Sequence, residues 1–241
     1  MNKTVKKALR IIFGTLFTLF LLSIAIVILY RFVPVPITPL MVTRHITEGT
    51  AINYEWTPIE KISPYLPLAV ISSEDNLFLE HNGFDFKAIE KARAEARAGI
   101  RFRGASTITQ QTAKNLFLWH GRTWLRKGLE AYFTVLLELL WDKKHIMEAY
   151  LNCIEMGNGI YGAAAVAKIN FNTTPDKLTR SQCALIAATL PNPRRFNSAK
   201  PSKYMLKREQ DILKIMKLIG KIDLDAKPEK KAAKAKKKRQ K

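Results

Sequence analysis

"SSEDNLFLEHNGFDF", residues 72–86, sets a Glu-Asp pair ahead of an apolar run and closes on Asn82-Gly83 and Asp85. Helical spacing would place Glu74, Leu77, Phe78 and His81 at i, i+3, i+4 and i+7, one carboxylate on an otherwise apolar stripe. That pattern is either a capped surface helix or a catalytic acid. Apolar Leu77 and Phe78 would desolvate Glu74 and favour its neutral form, which suits proton transfer at a sugar hydroxyl. The same stretch organises its surroundings: one helix is expected from Pro64 to Glu80, stopped at Asn82-Gly83, and Asp85 reads as the N-cap of "FKAIEKARAEARAG".

Helical signals continue along the chain. In "GASTITQQTAKNLF" Thr107 and Gln110 stand in capping-box positions, and Thr179 and Gln182 do so in "LTRSQCALIAATL", which Pro191 and Pro193 end. Leu125, Leu129, Tyr132, Phe133, Leu136, Leu137 and Leu140 recur at helical spacing, so one amphipathic stretch is expected from Trp124 to Leu151. The segment "GNGIYGA" is glycine-rich, as a close-approach backbone would be. No alternating strand pattern and no internal repeat is evident, and the fold class expected is mainly α.

The chain has 241 residues, 47% of them hydrophobic, enough for one packed domain of ordinary size. Residues 11–30, "IIFGTLFTLFLLSIAIVILY", carry no charge and match the roughly 20 residues needed to cross a bilayer. They run on into "RFVPVPITP" with no small-residue cleavage site, which makes an uncleaved anchor. Lys3, Lys6, Lys7 and Arg10 precede it, against Arg31 and Arg44 in the twenty residues after it, so the N-terminus is expected in the cytoplasm and the rest outside. The net charge is +20, and residues 226–241 carry nine Lys or Arg against Glu229 alone, a net +8. Such a tail is either a solvated extension or an arm for anionic surfaces. The division expected is a cytoplasmic N-terminus (1–10), an anchor (11–30), a Pro-containing linker (31–50), a domain (51–215) and a basic tail (216–241).

Several polar residues are candidates for chemistry. The helix start after Gly104, at Ser106 and Thr107, is either an ordinary capped terminus or a site for a phosphate, with Lys114 two turns further on. Lys114, Arg122, Arg126 and Lys127 meet no acid until Glu130, which reads either as a surface ion pair or as a clamp for a pyrophosphate. His45, His81, His120 and His145 lack the pairing of a zinc protease, and no metal site is indicated. Cys153 and Cys183 read as small buried hydrophobes, although an exported domain could pair them.

The motifs "SSEDNLFLEHNGFD", "GASTITQQTAKNLF", "RKGLEAYFTVLLE", "HIMEAYLN" and "GNGIYGAAAVAKINF" resemble, in order and spacing, the five motifs of the bacterial peptidoglycan glycosyltransferases. The resemblance covers roughly residues 55–200 and is closest to the monofunctional enzymes, since no Ser-x-x-Lys or Lys-Thr-Gly of a transpeptidase is present. It implies a lysozyme-like helical domain with a hydrophobic jaw in the membrane, and polymerisation of lipid II into β-1,4 glycan with release of undecaprenyl pyrophosphate. By the same resemblance Glu74 is the base for the acceptor hydroxyl and Glu130 the second glutamate, near the pyrophosphate. Ser106, Gln110, Gln111, Lys114, Arg122 and Lys127 line the cleft, and Glu148 is structural. No cofactor is required, a divalent cation such as Mg or Mn being at most an aid to the pyrophosphate. The partners implied are lipid II, the growing lipid-linked glycan, the inner membrane and other cell-wall synthesis and division proteins, not nucleic acid; the catalytic domain would be periplasmic. The fifth motif departs from the family in having Asn170-Phe171 where Tyr-Phe is usual, which bears on its packing. The rival readings are a glycan-cleaving lysozyme-like enzyme, which has little use for Lys114, Arg122 and Lys127, and a non-catalytic membrane-anchored scaffold.

Overall fold

The computed structural model describes residues 3–99, 104–119, 121 and 123–225. They divide into two compact units, parting after Pro34. The first is a single helix, α1 (Lys3–Phe32), whose 30 residues exceed the uncharged stretch because Lys3 to Arg10 join its first turns. Among the described residues it is the one helix long and apolar enough to cross a membrane.

The second unit is helical, as expected, and starts earlier than expected. The segment 31–50, read as an extended linker, holds α2 (Pro39–Glu48), with Pro39 in the first turn and the Thr38 side chain accepting from the Met41 N–H. Thr38 and Met41 are buried and α2 lies on α5 (Ile108–Phe117). Next come α3 (Tyr65–Glu74) and α4 (Phe86–Arg97), the latter capped by Asp85 as read from sequence. Helix α3 is apolar all round, with Leu66 through Ser72 buried, and is the central element, packed against α9 (Arg180–Thr189) and α10 (Lys203–Ile219).

Two expected helices are shorter than their periodicity. The helix read from Pro64 to Glu80 ends at Glu74, because Asp75 turns out of the helix at φ −161° and ψ 81°. Its carboxylate accepts from the Ile108 N–H at 3.0 Å and pairs with His81 Nε2 at 2.9 Å, contacts a helical Asp75 would not make. Leu77 and Phe78 therefore leave the Glu74 stripe: Leu77 is exposed, and Phe78 is buried under the Lys143 ammonium, 4.7 Å from its ring centre. The stretch Trp124–Leu151 is two helices, α6 (Trp124–Leu140) and α7 (Lys143–Cys153), parted where Asp142 caps α7 through the His145 N–H at 2.8 Å.

Both capping boxes are present, at Thr107/Gln110 and Thr179/Gln182. The glycine-rich segment forms strand rather than loop alone: β1 (Asn53–Tyr54), β2 (Glu155–Gly157) and β3 (Ile160–Tyr161) make a small sheet in the order β1-β3-β2, antiparallel between β2 and β3 and parallel between β1 and β3. Strands of two or three residues are too short to show alternation. The close approach read from the glycines holds, since a Cβ on Gly162 would stand 2.3 Å from the Asn152 carbonyl oxygen at a φ of +79°. Helix α8 (Gly162–Phe171) follows, where Asn170 donates to Ser198 Oγ at 2.7 Å. Cys153 and Cys183 are buried free thiols, each pushed up to about 12 by burial. Helix α10 runs past the expected domain end at 215, with Met205, Ile212 and Met216 buried along one face. The basic tail from residue 226 lies outside the described residues.

Candidate active site

Glu74 is the last residue of α3, at the point where the chain swings away, so its carboxylate is presented from a helix end. Gln111 Nε2 on α5 donates to its Oε2 at 3.1 Å and Ser73 Oγ donates to its Oε1 at 3.3 Å. Gln111 is itself held, since the buried Tyr150 hydroxyl donates to its Oε1 at 3.2 Å. Burial pushes the Glu74 carboxyl above its ordinary range; the Gln111 and Ser73 hydrogen bonds and the Arg208 charge pull it part of the way back. The Tyr150 hydroxyl is pushed well up by burial and by the charges of Glu74 and Asp75, and so stays a donor. Leu77 and Phe78 do not continue the helix on which the sequence placed them with Glu74, and Leu77 is exposed.

The start of α5 is a capped terminus, not an open cradle. The Ile108 N–H is taken by Asp75 and the Gln110 N–H by Thr107 Oγ1 at 3.2 Å, while Gln110 Oε1 accepts from the Thr107 N–H at 3.0 Å. A phosphate would find two of the first-turn donors already satisfied. The structure gives Gln110 a capping role, and Ser106 stands exposed just outside the cap. Lys143 on α7 pins the turn opposite, donating to the His81 carbonyl at 2.8 Å and to Glu138 Oε1 at 2.7 Å.

Glu130 is buried on α6, and both its oxygens are occupied. Arg126 Nη1 donates to Oε2 at 2.7 Å, Lys127 Nζ donates to Oε1, and Arg126 Nε reaches the Gly121 carbonyl at 2.6 Å. Two of the expected clamp cations are therefore neutralised in part by Glu130. Lys114 makes no ion pair among the described residues, and burial lowers its pKa from the usual lysine range while the Glu130 charge opposes this. Arg122, like His120, lies outside the described residues. A resident divalent ion does not fit Glu130: it would have to displace a guanidinium and an ammonium, and no group of three or more His, Cys, Asp or Glu suited to a metal occurs among the described residues.

A cavity of about 420 Å³ is lined by Gln111, Lys114, Asn115 and Arg126 together with Arg44, Glu155 and Pro191; Glu74 and Glu130 are not in its lining but are bonded to Gln111 and Arg126, which are. Arg44 Nε and Asn115 Nδ2 are buried without a hydrogen-bond partner among the described residues. Arg44 pairs with Glu48 Oε1 at 2.6 Å and with Glu155 Oε2 at 3.6 Å, and burial raises the Glu155 carboxyl against the Arg44 charge. The sequence reading missed Arg44, Tyr150, Glu155 and Arg208 as site residues; of the residues here, Tyr150 stood inside "HIMEAYLN" and Asn115 inside "GASTITQQTAKNLF", motifs already singled out. Glu148, expected to be structural, accepts from the Ile59 N–H at 2.8 Å. A larger cavity, about 800 Å³ beside Glu60, Lys144 and Asp223, contains none of the expected site residues.

A helical domain with one carboxylate held at a helix end and a cation-lined cavity beside it suits transfer of a sugar from an anionic leaving group. A protein-family profile described as Transglycosylase matches residues 42–217. The chain is 58% identical over 222 residues to the biosynthetic peptidoglycan transglycosylase of Bacteroides thetaiotaomicron, covering 90% of each chain. It is 51% identical over 216 residues to the protein of the same description from Caulobacter vibrioides (88% of this chain, 93% of the relative), and 47% identical over 218 residues to that from Haemophilus influenzae (88% and 87%). The chain therefore belongs to the transglycosylase family.

Proposed function

We propose that this chain is a peptidoglycan glycosyltransferase that joins the disaccharide units of lipid II into β-1,4 glycan, with Glu74 as the base. The observation that carries the mechanism is Glu74 itself: it is desolvated, held by Gln111 and Ser73, and among the described residues makes no ion pair. Its carboxylate takes the proton of the acceptor 4-hydroxyl while that oxygen attacks C1 of the donor sugar. The C1–O bond to the pyrophosphate breaks, and undecaprenyl pyrophosphate departs with the bonding pair toward Lys114. A base nearer neutrality has the stronger driving force for this transfer. Gln111, fixed by Tyr150, keeps the carboxylate in line, as orientation requires.

Glu130 serves to fix Arg126 and Lys127 in place, so the cationic wall is organised before substrate arrives. In this reading no step runs through a protein-held metal. Helix α1 fits a membrane anchor; we place it in the inner membrane with the N-terminus cytoplasmic, on the asymmetry of Lys3, Lys6, Lys7 and Arg10. Exposed Trp124 and Leu125 at the head of α6 supply an apolar surface suited to the bilayer face.

The test is the full chain in detergent micelles with labelled lipid II. The expected products are glycan strands, with one undecaprenyl pyrophosphate released per linkage. Absence of strands, or cleavage of preformed strands instead, would overturn the proposal.

A further inference from the structure

Helix α10 lies outside every motif of the sequence reading, yet it packs on α3, the helix that ends in Glu74. Its inward stripe is Met205, Arg208 and Ile212, at i, i+3 and i+7, with Met205 and Ile212 buried. Arg208 is the charged member of that stripe. Its Nη2 donates to Ser73 Oγ at 3.2 Å, and the same hydroxyl donates to Glu74 Oε1 at 3.3 Å. Among the described residues Arg208 makes no ion pair; its neighbours turn elsewhere, Glu209 to Ser181 and Asp211 to Lys214. A partly buried guanidinium with no carboxylate of its own is thus one hydroxyl away from the base.

We propose that Arg208 is a positioning residue for the transfer reaction: acting through Ser73, it orients the Glu74 carboxylate and keeps it anionic in the pH range where the enzyme works. The proposal rests on the reading of Glu74 as the base. Two bonds of this length put the guanidinium within roughly 6 Å of the carboxylate, the range in which an opposite charge favours the ionised form. The other groups facing Glu74 divide by sign. Asp75 next to it opposes ionisation, Lys114 on α5 supports it, Tyr150 on α7 stays neutral, and α9 offers the Ala187 carbonyl to Ser73. His81 acts on Asp75 rather than on Glu74. Arg208 is the cation that reaches the carboxylate through a hydrogen-bonded link, and it comes from an element that a catalytic fragment ending before α10 would lack.

The experiment is the pH profile of polymerisation by the full chain in detergent with lipid II, for wild type, Arg208→Ala, Arg208→Lys, Ser73→Ala and Lys207→Ala. In Arg208→Ala the acidic limb should move up by about one unit, so that activity at pH values below the limb falls roughly tenfold and most of the loss is recovered at alkaline pH. Arg208→Lys should restore most of the wild-type limb. Ser73→Ala, which breaks the relay without removing the charge, should give a smaller upward move. Lys207→Ala removes an exposed charge from the same helix and should leave the profile at wild type. A loss equal at every pH, or a limb unmoved in both Arg208 variants, would overturn the proposal. Glu74→Gln separates the two readings: if it keeps the wild-type limb, the base has been misassigned; if it is inactive while Arg208→Ala keeps the wild-type limb, only the role of Arg208 fails.

Discussion

Glu74 and Glu130 are the same side chain in opposite circumstances. Glu130 is buried in the middle of α6 with a guanidinium and an ammonium on its two oxygens. Glu74 is at the end of α3 with an amide and a hydroxyl on its oxygens, and the Arg208 guanidinium is one hydroxyl further off. Charge-assisted hydrogen bonds fix a carboxylate and its cations to one another, which suits a residue whose task is to place cations. Neutral donors orient a carboxylate without holding its charge down so firmly, which suits one that must take and release a proton. The two roles follow from the partners, not from the residue type.

The largest break in this comparison is expected at Glu130. Glu130→Gln strands Arg126 in a buried site and should cost on the order of 3 kcal/mol of stability, read from denaturant or thermal unfolding. If Glu130→Gln unfolds at the wild-type midpoint, the pair is not what holds the cations. Next comes Lys114→Met, which removes a cation that makes no ion pair among the described residues and is offered to the leaving group. It should lower kcat roughly 100-fold and leave the fold intact or slightly firmer, because a buried ammonium is exchanged for an apolar chain of similar length.

Gln111→Ala takes away the strongest direct hold on Glu74 and should reduce kcat about tenfold, with the acidic limb moving up as a hydrogen bond to the ionised form is lost. The smallest effect concerns stability. Burial raises the folded pKa of Glu74 above its ordinary 4.5, so the native state retains the proton over a window where the unfolded chain releases it. Stability is then lost as pH rises from 4.5 through the raised value, and is fully regained below 4.5. Glu74→Gln should therefore unfold at a higher temperature than wild type at pH 7 and lose that advantage in acid. A variant that is less stable than wild type at pH 7 would mean that the ionised carboxylate is better solvated than its surroundings imply.

Much of this arrangement was legible in the chain because its determinants are local. Thr107 with Gln110, Thr179 with Gln182, and Asp85 each cap a helix within three residues of themselves, and the glycines of "GNGIYGA" mark an approach so close that no Cβ fits. What was misread depends on partners far away. Asp75 ends α3 because its carboxylate is engaged at Ile108, thirty-three residues on, and periodicity carried the helix past it. The break at Asp142 was a local capping signal hidden inside a continuous apolar repeat. The Pro-containing segment 31–50 reads as a linker, although Pro39 within it sits in the first turn of a helix, where proline is favoured. Arg44, Glu155 and Arg208 enter the site only through tertiary packing, and no spacing in the sequence links them to Glu74 or Lys114.

The measurement that tests the central claim most directly is polymerisation of lipid II by Glu74→Gln, paired with its thermal unfolding at pH 7. The account predicts a protein at least as stable as wild type that makes glycan about 1000-fold more slowly or not at all, since an amide can hold the position of the carboxylate but cannot take the proton. A folded Glu74→Gln enzyme that polymerises at the wild-type rate would contradict it.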